Sequence, residues 1–354
     1  MTDADAFGDW PLKRLLTDVV GSGTKSAEDM TRRQAGEAMR RILDGDPHPT
    51  TLGAFWLANR WKHNTATELA AFTDEMCDRV EYATPDADPV DCGANYDGKG
   101  RSAILGVAAG VVAAASGTPV VVHSGDRVPT QKQDAYKHVL GELGVATELT
   151  PADSAAMVDD VGFGFYYQPT FNPAVDALFD RRDRMGVRTF VNTVETLANP
   201  AGASVHLGSF YHLAFAKKVV ETFQESTFHD PDRVVMFQGM EGYDDIRPGY
   251  TKVADWRADG TFDDYEIETA EYGMDFETAD LAVDDVAADS ARLTRDVIAG
   301  DRTDHWRDAV ALNAAVRIYA GDDADSIDDG LDAARAAIDD GSAAAVLDDL
   351  QEWG

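Results

Sequence analysis

The chain has 354 residues, with 64 Asp plus Glu against 31 Lys plus Arg, a net charge of −33. Its 44% hydrophobic content excludes a disordered chain, which combines high charge with low hydrophobicity, and its length suits about two domains. The longest apolar run, residues 104–116, falls short of the ~18 residues that a membrane span requires, so no membrane partner is expected.

Residues 12–79 read as successive helices. Met30-Thr31 opens one, with Ala35, Ala38, Met39, Ile42 and Leu43 at helical spacing and Gly45-Asp46-Pro47 ending it. Residues 51–61 and 67–80 supply two more, and Pro85-Asp-Ala-Asp-Pro89 reads as a linker. From Val90 the period changes. Val90-Asp91-Cys92 is a short strand, residues 103–116 a small-residue helix, and Thr118-Pro-Val-Val-Val-His123 a strand of the buried parallel type. A helix over 133–143, strands over 161–167, 189–192 and 234–238, a helix over 213–223 and a helical C-terminal part from Val283 complete the reading. The fold class that follows is a small N-terminal helical bundle plus a larger α/β domain with a mainly parallel sheet.

The N-terminus has neither a basic start nor an apolar core segment, so no secretory signal is read and the chain is expected to be cytoplasmic. Its two cysteines, Cys77 and Cys92, form no Cys-x-x-Cys pair, and neither a disulfide framework nor a zinc site is expected. The acidic residues are spread along the chain. At molar salt, where the Debye length shrinks to about 3 Å, such a surface ceases to repel itself, so the charge reads as that of a cytosolic protein from a salt-accumulating halophile.

Four segments could carry chemistry. Cys92-Gly-Ala-Asn-Tyr-Asp-Gly-Lys-Gly-Arg-Ser102 is a glycine-rich loop between a strand and a helix. Its glycines with Lys99 and Arg101 suit an anion, and equally suit an exposed turn; Gly93, Asn95, Asp97, Gly98, Lys99, Arg101 and Ser102 are the candidate substrate contacts. His123-Ser-Gly-Asp-Arg-Val-Pro-Thr-Gln-Lys132 stands at the carboxyl end of an apolar strand, where ligands of parallel sheets bind, with His123, Asp126, Arg127, Thr130 and Lys132 as polar groups. Gly239-Met-Glu-Gly-Tyr-Asp-Asp-Ile246 places the adjacent carboxylates of Asp244 and Asp245 just after a strand, a pattern that suits Mg²⁺ with substrate phosphates. Residues 179–192 are rich in Arg, either to grip a carboxylate or to balance nearby Asp residues.

Taken in order, these segments resemble the anthranilate phosphoribosyltransferase family (glycosyltransferase family 3), in a divergent branch. Met185-Gly-Val-Arg-Thr-Phe-Val-Asn-Thr-Val-Glu-Thr-Leu-Ala-Asn-Pro-Ala201 is similar to that family's Leu-Gly-x-Arg-Thr-x-Phe-Asn-x-Leu-Gly-Pro-Leu-x-Asn-Pro-Ala signature, and Gly242-Tyr-Asp-Asp-Ile246 to its Gly-Leu-Asp-Glu metal motif. The resemblance implies a fold of the nucleoside phosphorylase and phosphoribosyltransferase type, with a helical domain over 1–84 completed by 172–186, an α/β domain over 88–354, and a homodimer. It further implies transfer of a phosphoribosyl or pentosyl group from phosphoribosyl pyrophosphate to an amine or nitrogen heterocycle. Mg²⁺ would sit on Asp244 and Asp245, the 92–102 loop would cradle pyrophosphate, and Arg182 would meet an acceptor carboxylate. The family's Gly-Thr-Gly-Gly-Asp and Asn-x-Ser-Thr are replaced here by residues 93–102, and its Lys-His-Gly-Asn-Arg by His123-Ser-Gly-Asp-Arg127. A second expectation follows, a non-catalytic binder of nucleic acid or nucleotide that uses Lys99, Arg101, Arg127 and Lys132.

Overall fold

The computed structural model describes residues 10–210 and 212–353. Two compact units emerge. One comprises the described residues up to Val80 with Asn172–Ala198 and Lys217–Asp230; the other comprises Glu81–Phe171, Asn199–Ala216 and the described residues from Pro231 onward.

In the helical unit, local chemistry sets the helix starts. Thr31 caps Arg32–Leu43 and Thr65 caps Ala66–Cys77, each in a reciprocal box with the residue three positions on, Gln34 or Glu68. Pro49 opens Pro49–Lys62 behind a His48 cap. The return segment expected over 172–186 runs on to Ala198, and Lys217–Asp230 joins the same unit. The strand expected over 189–192 is instead the short helix Val191–Val194. Thr189 and Asn192 cause the change: the Thr189 hydroxyl accepts from the Val191 N–H, and the Asn192 amide oxygen accepts from the Thr189 N–H, at 3.2 and 3.0 Å. These side-chain bonds wind the backbone, and Phe190 stacks on Phe72 with ring centroids 4.1 Å apart.

In the α/β unit a seven-stranded sheet runs in the order β3-β2-β1-β4-β5-β6-β7. The strands are β1 (Val90–Gly93), β2 (Val120–Ser124), β3 (Phe163–Tyr167), β4 (Val205–Phe210), β5 (Arg233–Gln238), β6 (Tyr250–Arg257) and β7 (Phe262–Glu268). The first five in sequence are parallel, and β6 and β7 add antiparallel. The chain leaves β1 on one side for β2 and β3, then returns to its other side as β4. That reversal between β1 and β4 opens a crevice beyond the carboxyl ends of the strands. The helix Gly106–Ala115 is buried nearly all round, and a Cβ on Gly110 would lie 2.6 Å from the Phe163 ring, so only glycine lets this helix approach the sheet. No helix among the described residues is long and apolar enough to cross a membrane.

Candidate functional site

The loop after β1 is held by the loop after β2. The N–H groups of Thr130 and Gln133 donate to the carboxylate and carbonyl of Asp97, at 3.2 and 3.1 Å, and the Lys99 N–H donates to the Asp134 carbonyl at 2.9 Å. Gly98 makes this approach possible. Its φ is +82°, and a Cβ there would sit 2.3 Å from the Asp134 carbonyl oxygen. Asn95 closes the turn by accepting from the Asp97 N–H at 2.8 Å. The helix that follows begins at Gly106, three residues beyond the start expected at Ala103.

Lys99 points inward and is fully buried. Its Nζ donates to Asp245 Oδ2 at 2.7 Å and to the Ala103 carbonyl at 2.5 Å, and the Leu105 N–H donates to the same carboxylate at 3.2 Å. Its neighbour Asp244 is fully buried too. It accepts from the Tyr136 hydroxyl, and from the Arg317 guanidinium at 2.8 Å; Arg317 also donates to the Asp244 and Asn313 carbonyls. Burial raises the Asp244 pKa, Arg317 pulls it down, and the adjacent Asp245 pushes it up, with a net rise. Mg²⁺ needs near-octahedral oxygen donors at ~2.0–2.1 Å and keeps several waters. These two carboxylates have no solvent exposure and are already paired with an ammonium and a guanidinium, so in this arrangement they do not fit the magnesium site expected of them. Among the described residues no group of three or more His, Cys, Asp or Glu could hold a metal ion.

Three residues along the same turn, Glu241 does what an external anion would do. Its backbone has a φ of +55°, in the region that disfavours non-glycine residues. The carboxylate accepts from the Ser102 hydroxyl at 2.5 Å, the Ser102 N–H at 3.0 Å and the Gly100 N–H at 3.3 Å, with Arg101 Nε at 3.5 Å. Burial would raise its pKa, but these donors and the nearby Lys99 outweigh burial and hold it below the usual range. Beside it lies a cavity of about 340 Å³ lined by Arg101, Ser102, Gln238, Glu241, Arg247 and Thr278. The Arg101 side chain is 84% exposed.

His123, expected as a ligand contact, is fully buried on β2. Its Nδ1 meets the Tyr96 hydroxyl, and its Nε2 lies 3.2 Å from Asp91 Oδ1; the other Asp91 oxygen is 2.8 Å from His206 Nδ1. Strand register builds this chain, because Asp91 stands opposite His206 across β1 and β4. Burial would raise the Asp91 pKa, but the two histidines overcome it and hold the carboxylate well below its ordinary range. The chain anchors Tyr96 inside the loop after β1.

The loop after β2 is open by comparison. Arg127 is half exposed and donates to Asp134 at 2.8 Å. Asp126 accepts from Lys137 and lies 3.0 Å from His138 Nε2, and these partners outweigh its burial and lower its pKa. Thr130 is partly buried and Lys132 exposed. With Lys99 withdrawn into the interior, the four-residue basic cluster expected for nucleic acid is not assembled. Arg182 belongs to the helical unit, where both its terminal nitrogens hold Glu195, at 2.7 and 2.6 Å. Its fork is filled from within, not by an acceptor carboxylate. Sequence reasoning missed Glu241, Tyr136, Arg317 and the Asp91 to His206 pairing. Glu241 stood inside a motif already singled out; the others come together only through register and helix packing.

Comparison with known proteins bears on the fold. Residues 92–344 match the family described as "Glycosyl transferase family, a/b domain", and residues 16–80 its helical bundle domain. The chain is 33% identical over 332 residues to an anthranilate phosphoribosyltransferase of Methanocorpusculum labreanum, covering 92% of this chain and 94% of the relative. Its fold is similar to the crystal structure of anthranilate phosphoribosyltransferase from Thermus thermophilus, with a TM-score of 0.80, 25% identity, and coverage of 92% and 96% of the two chains. It is also similar in fold to the Saccharomyces cerevisiae enzyme in complex with PRPP and Mg, with a TM-score of 0.77, 17% identity, and coverage of 91% and 93%.

Proposed function

Because the chain belongs to glycosyltransferase family 3, the family of the anthranilate phosphoribosyltransferases, we propose that it binds a phosphorylated pentose at the carboxyl ends of β1 and β5 and transfers the pentosyl group to a nitrogen nucleophile. The observation that carries this reading is the Glu241 carboxylate seated on the Gly100 N–H, the Ser102 N–H and the Ser102 hydroxyl. Those donors form a receptor for an oxyanion. A phosphate carries more charge and more acceptor oxygens than one carboxylate, so it competes for the same donors.

In such a transfer the leaving group departs as an anion while positive charge grows on the sugar, and donors fixed in advance favour that separation. The chain supplies Gly100, Ser102, Arg101 and Arg247 for the anion. PRPP, which the yeast relative holds, has the required chemistry. The acceptor is defined only as a nitrogen nucleophile, since Arg182 is engaged by Glu195 and Asp126 stands where the family has Asn.

Calorimetric titration with PRPP and with pyrophosphate at high KCl tests the reading, with pyrophosphate release on addition of candidate amines as its catalytic arm. The Glu241→Gln variant is expected to bind either anion on the order of tenfold more tightly, the equivalent of about 1.4 kcal/mol. Failure of both proteins to bind either anion refutes the proposal.

A further inference from the structure

We propose that Lys99 and Arg317 are the resident cations of the Asp244-Asp245 pair, and that this chain takes up no divalent metal there. Two carboxylates face one ammonium and one guanidinium, so the formal charge of the cluster is already zero. All four side chains are fully buried. A divalent ion added to this cluster would leave two uncompensated positive charges in a low-dielectric interior, at a cost of several kcal/mol per ion. To enter without that cost it would have to expel Lys99. The ammonium would then lose Asp245 and the Ala103 carbonyl together, and the Leu105 N–H would lose the carboxylate to which it donates.

The hydrogen-bond count agrees with the charge count. Both Asp244 oxygens accept from Tyr136, one of them from Arg317 as well, and both Asp245 oxygens lie 3.2 Å from the Leu105 nitrogen. A metal would have to reach these same oxygens, past the donors already seated on them, at a much shorter distance. Lys99 is supplied from the loop after β1, so the cation is covalently part of the chain and does not depend on ion concentration. The inference concerns this acidic pair alone and stands whether or not a pentosyl group is transferred.

The test compares Mn²⁺ uptake by the wild-type chain with that of Lys99→Met/Asp245→Leu, a double variant that removes one buried pair without leaving a lone charge. Uptake is followed through the electron paramagnetic resonance of free aqueous Mn²⁺ at high KCl. Equal uptake by the two proteins is expected. A specific equivalent bound by wild type and missing from a folded double variant would overturn the proposal. In Lys99→Ala the carboxylate is left without its cation, so millimolar Mg²⁺ is expected to raise the Tm by several degrees relative to EDTA, with wild type unmoved beyond an ionic-strength control. A wild-type Tm that rises with Mg²⁺ as much as the variant's would also overturn it. If Lys99→Ala does not fold, the Mn²⁺ comparison decides alone.

Discussion

The loops after β1 and β2 carry the same kinds of residue, yet they use them in opposite ways. In the first, Lys99 turns inward and meets Asp245 in a setting closed to water. In the second, Arg127 meets Asp134 and Lys137 meets Asp126 with one partner of each pair open to water: the Arg127 and Asp126 side chains are 54% and 46% exposed, against 20% for Asp134 and 13% for Lys137. A pair of like composition is closed off from water in one place and half open to it in the other. What separates them is the dielectric around the charges, which multiplies both their attraction and the cost of leaving one of them alone.

The largest expected effect comes from breaking the interior set. Arg317→Met leaves the Asp244 carboxylate buried without its guanidinium and is expected to cost roughly 3–5 kcal/mol, measured by denaturant unfolding. If this loss is no greater than that of a surface variant, the contrast between buried and exposed pairs is false.

Asp91→Asn comes next, at about 2 kcal/mol near neutral pH, because it removes hydrogen bonds to a charged group. Its pH dependence has a defined sign. The folded state holds the Asp91 pKa below the unfolded value of ~3.9, so the stability it contributes is present above that value and is lost as pH falls from there toward the folded pKa. The variant's stability is expected to change less steeply than wild type's below about pH 4. Parallel acid limbs would remove Asp91 from the account.

The smallest effect belongs to Arg127→Ala. Its exposed pair with Asp134 is worth below ~1 kcal/mol and should vanish in molar KCl, where exposed charges are screened. A salt-resistant loss would show that the second loop is also locked.

Much of the architecture was legible in local pattern. Thr31 and the apolar spacing after it mark Arg32–Leu43, and the run at Val120–Ser124 is a buried strand as its composition suggests. Strands β4, β6 and β7 escaped notice, β4 and β7 for particular reasons. Phe262–Glu268 is mostly acidic and half exposed, and Val205–Phe210 hides a buried His206 among its apolar residues. The site was legible as a set of loops but not as a set of roles. Asp244 and Asp245 stood in the right segment, yet nothing near them in sequence announces Lys99, 146 positions from Asp245, or Arg317, 73 positions from Asp244.

By itself the sequence determined most of the helices, the parallel strands other than β4 and the overall acidity, because capping, periodicity and composition act over a few residues. Tertiary structure decided which charges face water. That choice depends on how strands register and helices pack across long separations, and it turned two carboxylates that read as a metal site into the buried partners of a lysine and an arginine.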